Sequence, residues 1–85
     1  MVDAVVLLCV FPGKEYSVKE EINKIDQVKS CRITFGEYDL VAEVQTDKVK
    51  ALGTLMTKKI RSIEGITKSI TLIISESLGN NNNQL

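Results

Sequence analysis

Eighty-five residues, with 11 Lys plus Arg against 11 Asp plus Glu and no His, make one small neutral domain. A neutral chain has no field to gather phosphate backbones, which argues against nucleic acid as a direct partner. The absence of His removes the usual neutral-pH general base and the commonest metal ligand. A chain of this size buries only about 60% of its unfolded surface, so its core is thin.

Ala4-Val5-Val6-Leu7-Leu8-Cys9-Val10-Phe11 is an unbroken apolar run stopped by Pro12-Gly13. It reads as a strand buried on both faces. It is too short to cross a membrane, and Asp3 stands where a signal peptide would carry positive charge. Val18, Ile22 and Ile25 then recur at helical spacing, with Tyr16 one turn earlier and Lys19, Glu20, Glu21 and Lys24 opposite, predicting a helix over roughly 15–25. Val28 to Thr34 reads as a charged edge strand, with Val28, Ser30, Arg32 and Thr34 on one face and Lys29, Cys31 and Ile33 on the other. Phe35-Gly36-Glu37-Tyr38 turns it back into a third strand, Asp39 to Thr46, with Leu40, Ala42 and Val44 on one face. Thr46-Asp47 offers an N-cap for a second helix, whose Val49, Leu52, Met56, Ile60 and Ile63 keep helical spacing until Gly65. Ile66 to Ser75 is the last strand, with Ile70, Leu72 and Ile74 on one face and Ser69, Thr71, Ile73 and Ser75 on the other. Residues 1–76 form one domain, and 77–85, with a four-Asn run, is a polar tail expected to be disordered.

Strand, helix, strand, strand, helix, strand with right-handed crossovers predicts an α+β, ferredoxin-like βαββαβ fold. Its four-stranded antiparallel sheet carries two helices on one face, and the first and third strands are central. Two helices cover one face only, whereas the first strand is apolar on both: Val5, Leu7, Cys9 and Phe11 point one way, Ala4, Val6, Leu8 and Val10 the other. A contiguous apolar sheet face left in water is unusual for a soluble monomer, so the pattern predicts a homo-oligomer built on sheet-to-sheet dimers.

Little in the chain resembles catalytic machinery. Ser and Thr have no His to activate them, and Glu20 and Glu21 are adjacent on a helix and point apart. Pro12-Gly13-Lys14 lacks the long glycine loop and the hydroxyl of a phosphate-binding turn and reads as a plain turn. Cys9 and Cys31 show no metal-ligand spacing and read as small buried hydrophobes; unpaired thiols suit a reducing cytoplasm. No metal and no cofactor is expected. Two polar places remain beside turns. Asp39 with Gly36 could hold an ammonium, or Asp39 could bond backbone locally; Ser69 and Thr71 could hold a carboxylate, or serve as ordinary strand residues.

The run Arg32-Ile33-Thr34-Phe35-Gly36-Glu37-Tyr38-Asp39-Leu40-Val41 resembles the Gly-x-Tyr-Asp hairpin of the Lrp/AsnC transcriptional regulators. Asp47, Ile60, Ile63, Gly65-Ile66, Ser69 and Thr71 resemble the rest of that family's effector module, called RAM for regulation of amino-acid metabolism. The resemblance covers about residues 3–75. It implies a module that dimerises through its sheets and assembles further, into octamers or decamers, with amino-acid effectors between dimers. On that likeness Asp39 holds the ligand ammonium, Gly36 and Tyr38 shape the loop, and Ser69 and Thr71 add hydroxyls. Ser69 stands where the family more often has Thr.

Family regulators also carry an N-terminal helix-turn-helix, and this sequence begins directly at the first strand. The expectation is therefore a stand-alone, cytoplasmic, non-enzymatic RAM module that binds an amino acid and modulates full-length Lrp/AsnC regulators without touching nucleic acid or membrane. Two rivals are a small cofactor-independent enzyme on a dimeric α/β-barrel scaffold and a ligand-free structural oligomerisation domain.

Overall fold

The computed structural model describes residues 1–78. Strand β1 (Val2–Val10) is followed by helix α1 (Glu15–Asn23), the hairpin of β2 (Val28–Ile33) and β3 (Leu40–Thr46), helix α2 (Val49–Thr54), and β4 (Ile66–Ile73). Helix α2 runs without a break into π-helical turns at Leu55–Ile60, and a 3-10 turn at Ser75–Leu78 follows β4. The sheet order is β2-β3-β1-β4, every pair antiparallel. This is the ferredoxin-like arrangement, with the first and third strands central. No helix among the described residues is long and apolar enough to cross a membrane.

The alternation along β1 divides the sheet. Val2, Ala4, Val6, Leu8 and Val10 are buried, while Asp3, Val5, Leu7 and Cys9 between them are only half-covered. The buried set joins Leu40, Ala42 and Val44 of β3, Val18 and Ile22 of α1, and Leu52, Leu55, Met56 and Ile60 of the second helical segment in one core. A buried Leu, Ile or Val side chain contributes about 1.5–3 kcal/mol, so this single layer supplies most of the driving force.

Two local features differ from the sequence reading. In β2 the register slips between Val28 and Ser30, and the bulge puts Val28 and Cys31 both on the core side, with Lys29 outside. Strict alternation had placed those two on opposite faces; one extra residue in an edge strand reverses the phase beyond it. At the start of α2 the cap residue is Lys48, which makes no side-chain cap bond. The Thr46 hydroxyl is buried and donates to the carbonyl of Lys48 at 3.0 Å instead of accepting a helix N–H. Farther along, the Arg61 N–H donates to the Met56 carbonyl, five residues back, at 2.9 Å. The wider turn lets adjacent Leu55 and Met56 both be buried with Ile60, whereas Val49, expected on the same stripe, is exposed.

The chain ends of the sheet are tied together. Ile74 N–H donates to Asp3 O at 2.8 Å, and Asp3 N–H donates to Ser77 Oγ at 2.9 Å. Ser77 and Leu78, the first residues of the expected tail, thus sit in the 3-10 turn, and the rest of that tail lies outside the described residues.

Gly65 sits at the entry to β4 with φ +108°, and a Cβ there would meet Val18 Cγ2 at 3.2 Å. Gly65→Ala adds both backbone strain and a close contact with a core helix. The expected outcome is a loss of about 1–3 kcal/mol in urea unfolding, with the slope of the transition unchanged.

Candidate functional site

The hairpin between β2 and β3 lies at the same end of the sheet as the C-terminus of β1, and Asp39 joins the two. The β1–β3 ladder runs from Val2↔Thr46 to Leu8↔Leu40 and stops there. One step farther, Asp39 N–H donates to Leu8 O at 2.8 Å, and Asp39 Oδ2 accepts the N–H of Val10 at 2.8 Å. The carboxylate therefore satisfies a strand donor that β3 no longer reaches. Its local role is to bond backbone, on a neighbouring strand rather than on its own hairpin. Its other oxygen takes no hydrogen bond from the described residues.

The remainder of the hairpin is held by short polar contacts. Thr34 donates from its N–H to Asp39 O at 2.8 Å and from its hydroxyl to Tyr38 O at 2.7 Å. Cys9 Sγ–H points at Glu37 O, 3.5 Å away. Gly36 takes φ +128° with open space where a Cβ would stand. Phe35 beside it is fully exposed, and Phe11 beyond the end of β1 is 58% exposed. The ammonium of Lys68 lies 5.6 Å from the Tyr38 ring centroid, a cation–π contact across the end of the sheet.

Ser69 and Thr71 lie elsewhere. Ser69 pairs with Leu8 and Thr71 with Val6, both wholly buried on the helix side. Directly opposed residues of an antiparallel pair share a face. The two hydroxyl residues therefore belong to the helix side of β4, which is an edge strand. Lys68, Ile70 and Leu72 pair with Cys9, Leu7 and Val5 on the open side. Since β1 lies between β3 and β4, Asp39 and Ser69 are two strand spacings apart, about 10 Å. One chain brings Gly36, Tyr38 and Asp39 together and Ser69 and Thr71 together, and it does not join the two groups.

Sequence reading passed over three residues here: Lys68, Phe35 and Arg61. No role was assigned to Lys68, and only the cross-strand register at Cys9↔Lys68 brings it to the hairpin end. Phe35 was read as turn sequence, although an aromatic beside a glycine at a hairpin tip is a signal of exposure. Arg61 follows the second helical segment and lines a hollow of about 330 Å³ with Ile66, Thr67, Lys68 and Ser69. Away from this region, burial pushes the Cys31 thiol up from its ordinary pKa, partly opposed by the nearby Lys19 charge, which keeps it an inert core group.

Comparison with known proteins places this geometry in context. The family model described as "Lrp/AsnC ligand binding domain" matches residues 4–83. A curated relative, the uncharacterized HTH-type transcriptional regulator PYRAB16920 of Pyrococcus abyssi, is 32% identical over 56 residues, covering 66% of this chain and 37% of that protein. The chain thus spans little more than a third of the length of that relative. The solved hypothetical protein PHS023 of Pyrococcus horikoshii matches with a TM-score of 0.84 and 38% identity, over 87% of this chain and 89% of that one. The transcriptional regulator NMB0573 of Neisseria meningitidis shares the fold at a TM-score of 0.74 and 17% identity, over 86% of this chain and 49% of that one.

The Asp39 bond to Val10 has a direct test. Asp39→Ala leaves a part-buried N–H without its acceptor and is expected to cost about 1–2 kcal/mol of unfolding free energy, with faster hydrogen exchange at Val10. Asp39→Asn keeps an acceptor oxygen and is expected to lose less than half of that; equal losses in the two variants would show that the bond contributes nothing.

Proposed function

The chain belongs to the Lrp/AsnC ligand binding domain family, and from that premise we propose that it is an amino-acid-sensing regulatory module whose effector site is completed between copies of the chain. The observation that carries this reading is the uncovered sheet face. Val5, Leu7 and Cys9 of β1 are half-exposed, Val41 of β3 likewise, and Leu72 of β4 is 49% exposed. They form one apolar surface across three strands, and the natural cover is the same surface of a second copy, related by a two-fold axis. Each apolar side chain so covered contributes up to about 1 kcal/mol, because part of its area is still in water.

The separation of the two polar groups supports the second part of the proposal. Asp39 offers a carboxylate oxygen for an ammonium, and Ser69 and Thr71 offer hydroxyls for a carboxylate, but they are on different faces of one sheet. A zwitterion a few ångströms long cannot span them within one chain. Contacts between dimers can bring the hairpin of one copy to the β4 edge of another, and exposed Phe35 is an apolar anchor for such a contact. The transcriptional regulator NMB0573, which shares this fold, was solved as a complex with L-Met, and that supports an amino acid as the class of ligand.

Regulation then follows from linkage. A ligand seated between dimers binds the assembled form better than the separated one, and only that difference shifts the equilibrium. The relative PYRAB16920 is named as an HTH-type transcriptional regulator, so full-length regulators of the same family are the natural partners for such a module. Direct contact with nucleic acid is not part of the proposal, since the chain carries no net charge with which to gather phosphates. An enzymatic role is not part of it either; among the described residues no nucleophile has a histidine base.

Two outcomes are expected. Calorimetry against the twenty amino acids should find at least one ligand, with Asp39→Asn weakening it by about tenfold or more through loss of a charge-assisted bond; unchanged affinity would remove Asp39 from the site. Leu7→Lys places a charge in the centre of the open face. It should leave the circular dichroism of the fold intact while sedimentation velocity shows dissociation to a single chain, and an unaltered assembly in that variant would exclude the sheet face as the interface.

A further inference from the structure

Strand β4 carries one charged side chain. From Ile66 to Ile73 every residue but Lys68 is aliphatic or hydroxylic. The register pairs Lys68 with Cys9, so this charge stands on the open side of the sheet, in line with Ile70 and Leu72, at the end where the β2–β3 hairpin lies. A cation on a face otherwise suited to burial needs a counter-charge once that face is covered.

A carboxylate is close by and is not joined to it. Asp39 reaches the same level of β1 from the other side: its N–H donates to Leu8 O and its Oδ2 accepts from the N–H of Val10, each at 2.8 Å, and these two residues flank Cys9. The Lys68 ammonium lies 5.6 Å from the ring centroid of Tyr38, the residue next to Asp39, so cation and ring meet across the end of β1. The ring holds the cation in place without neutralising it. Lys68 forms no ion pair with either acidic residue of the hairpin, Glu37 or Asp39; the ion pair among the described residues is Lys24 with Glu21. A positioned cation and a carboxylate with one oxygen unused therefore share one end of the open face, beside the half-exposed Cys9.

We propose that Lys68 is the specificity-determining residue of the amino-acid site, and that the effector is an amino acid with an acidic side chain. The inference rests on the sensing role proposed above and adds the class of ligand. The ligand's α-ammonium meets the unused oxygen of Asp39, and its side-chain carboxylate meets Lys68 through a charge-assisted bond. Its α-carboxylate is left for the hydroxyls of Ser69 and Thr71 on a neighbouring copy. A neutral side chain would leave the Lys68 ammonium shut away from water without an anion, and a basic one would set two cations together. A site built around such a bond discriminates chiefly by what it leaves unpaired in the wrong ligand.

The test is calorimetry of the whole chain with two matched pairs, L-glutamate against L-glutamine and L-aspartate against L-asparagine, with L-leucine and L-lysine as neutral and basic references. At least one acid is expected to bind about tenfold or more tightly than its amide. In Lys68→Gln that ratio should fall to within about twofold, mainly through weaker binding of the acid, and in Lys68→Glu L-lysine should overtake both acids. Lys68 is exposed and outside the core, so both variants are expected to fold as the parent does, which circular dichroism checks. Equal affinity for acid and amide in the parent chain would overturn the proposal, as would a preference for the acid that survives in Lys68→Gln. A Lys68→Gln variant that weakens every amino acid alike would overturn it too, since Lys68 would then meet the α-carboxylate common to all. Asp39-dependent binding of L-leucine with no preference for an acid would overturn the ligand class and leave the sensing role intact, whereas binding of no amino acid at all would overturn both.

Discussion

A four-stranded sheet with two helices has one dry face and one wet one, and in this molecule the wet face is made of the wrong material for water. Strand β1 runs through the centre with branched apolar side chains on both sides. One side closes over the helices into a single core, in which Val6 and Leu8 are wholly buried. The other stays half-open across β3, β1 and β4. For a chain this short the first core is thin, and the surface left outside is a large fraction of what could still be buried. The proposed quaternary structure, the completion of the site and the regulatory logic all follow from covering that second surface.

On the proposed reading, the same geometry leaves a single chain with only parts of the effector site. The sheet separates the Asp39 hairpin from the Ser69–Thr71 pair by position and by face. A protein that has to sense a ligand through its state of assembly gains from this arrangement. A complete pocket inside one subunit binds the ligand equally in every assembly and shifts none of them, whereas a pocket shared between subunits couples occupancy to association. On the proposed reading Asp39 serves both levels: one oxygen secures the end of β1 through Val10, and the other, which takes no hydrogen bond from the described residues, is the one proposed to meet the ligand. The bond to Val10 also fixes the direction of the carboxylate, which is the kind of support a recognition site requires.

Much of this was legible from the residues. The unbroken apolar run at Ala4–Phe11 announced a central strand with two greasy faces, and Leu40, Ala42 and Val44 gave the inward side of β3 by simple alternation. Other features were hidden for physical reasons. The bulge in β2 depends on pairing with β3 and leaves no mark in composition, so alternation assigned Val28 and Cys31 to opposite faces. Thr46 looked like a cap because Thr favours that role, yet its burial turned the hydroxyl toward a carbonyl. For the candidate site, the residue types in the hairpin and in β4 were visible, while their division between two faces required the strand order and register. Lys68 reaches the Tyr38 ring because the β4 register sets it opposite Cys9, a placement no local sequence pattern shows.

The account depends most directly on the state of the unmodified chain in solution, and native mass spectrometry at micromolar concentration reads it without ambiguity. An even-numbered assembly, with its distribution displaced when an amino-acid mixture is added, is the predicted result. A single 9.4 kDa species under both conditions would contradict the claim that a second copy covers the open sheet face and that copies together build the sensing site.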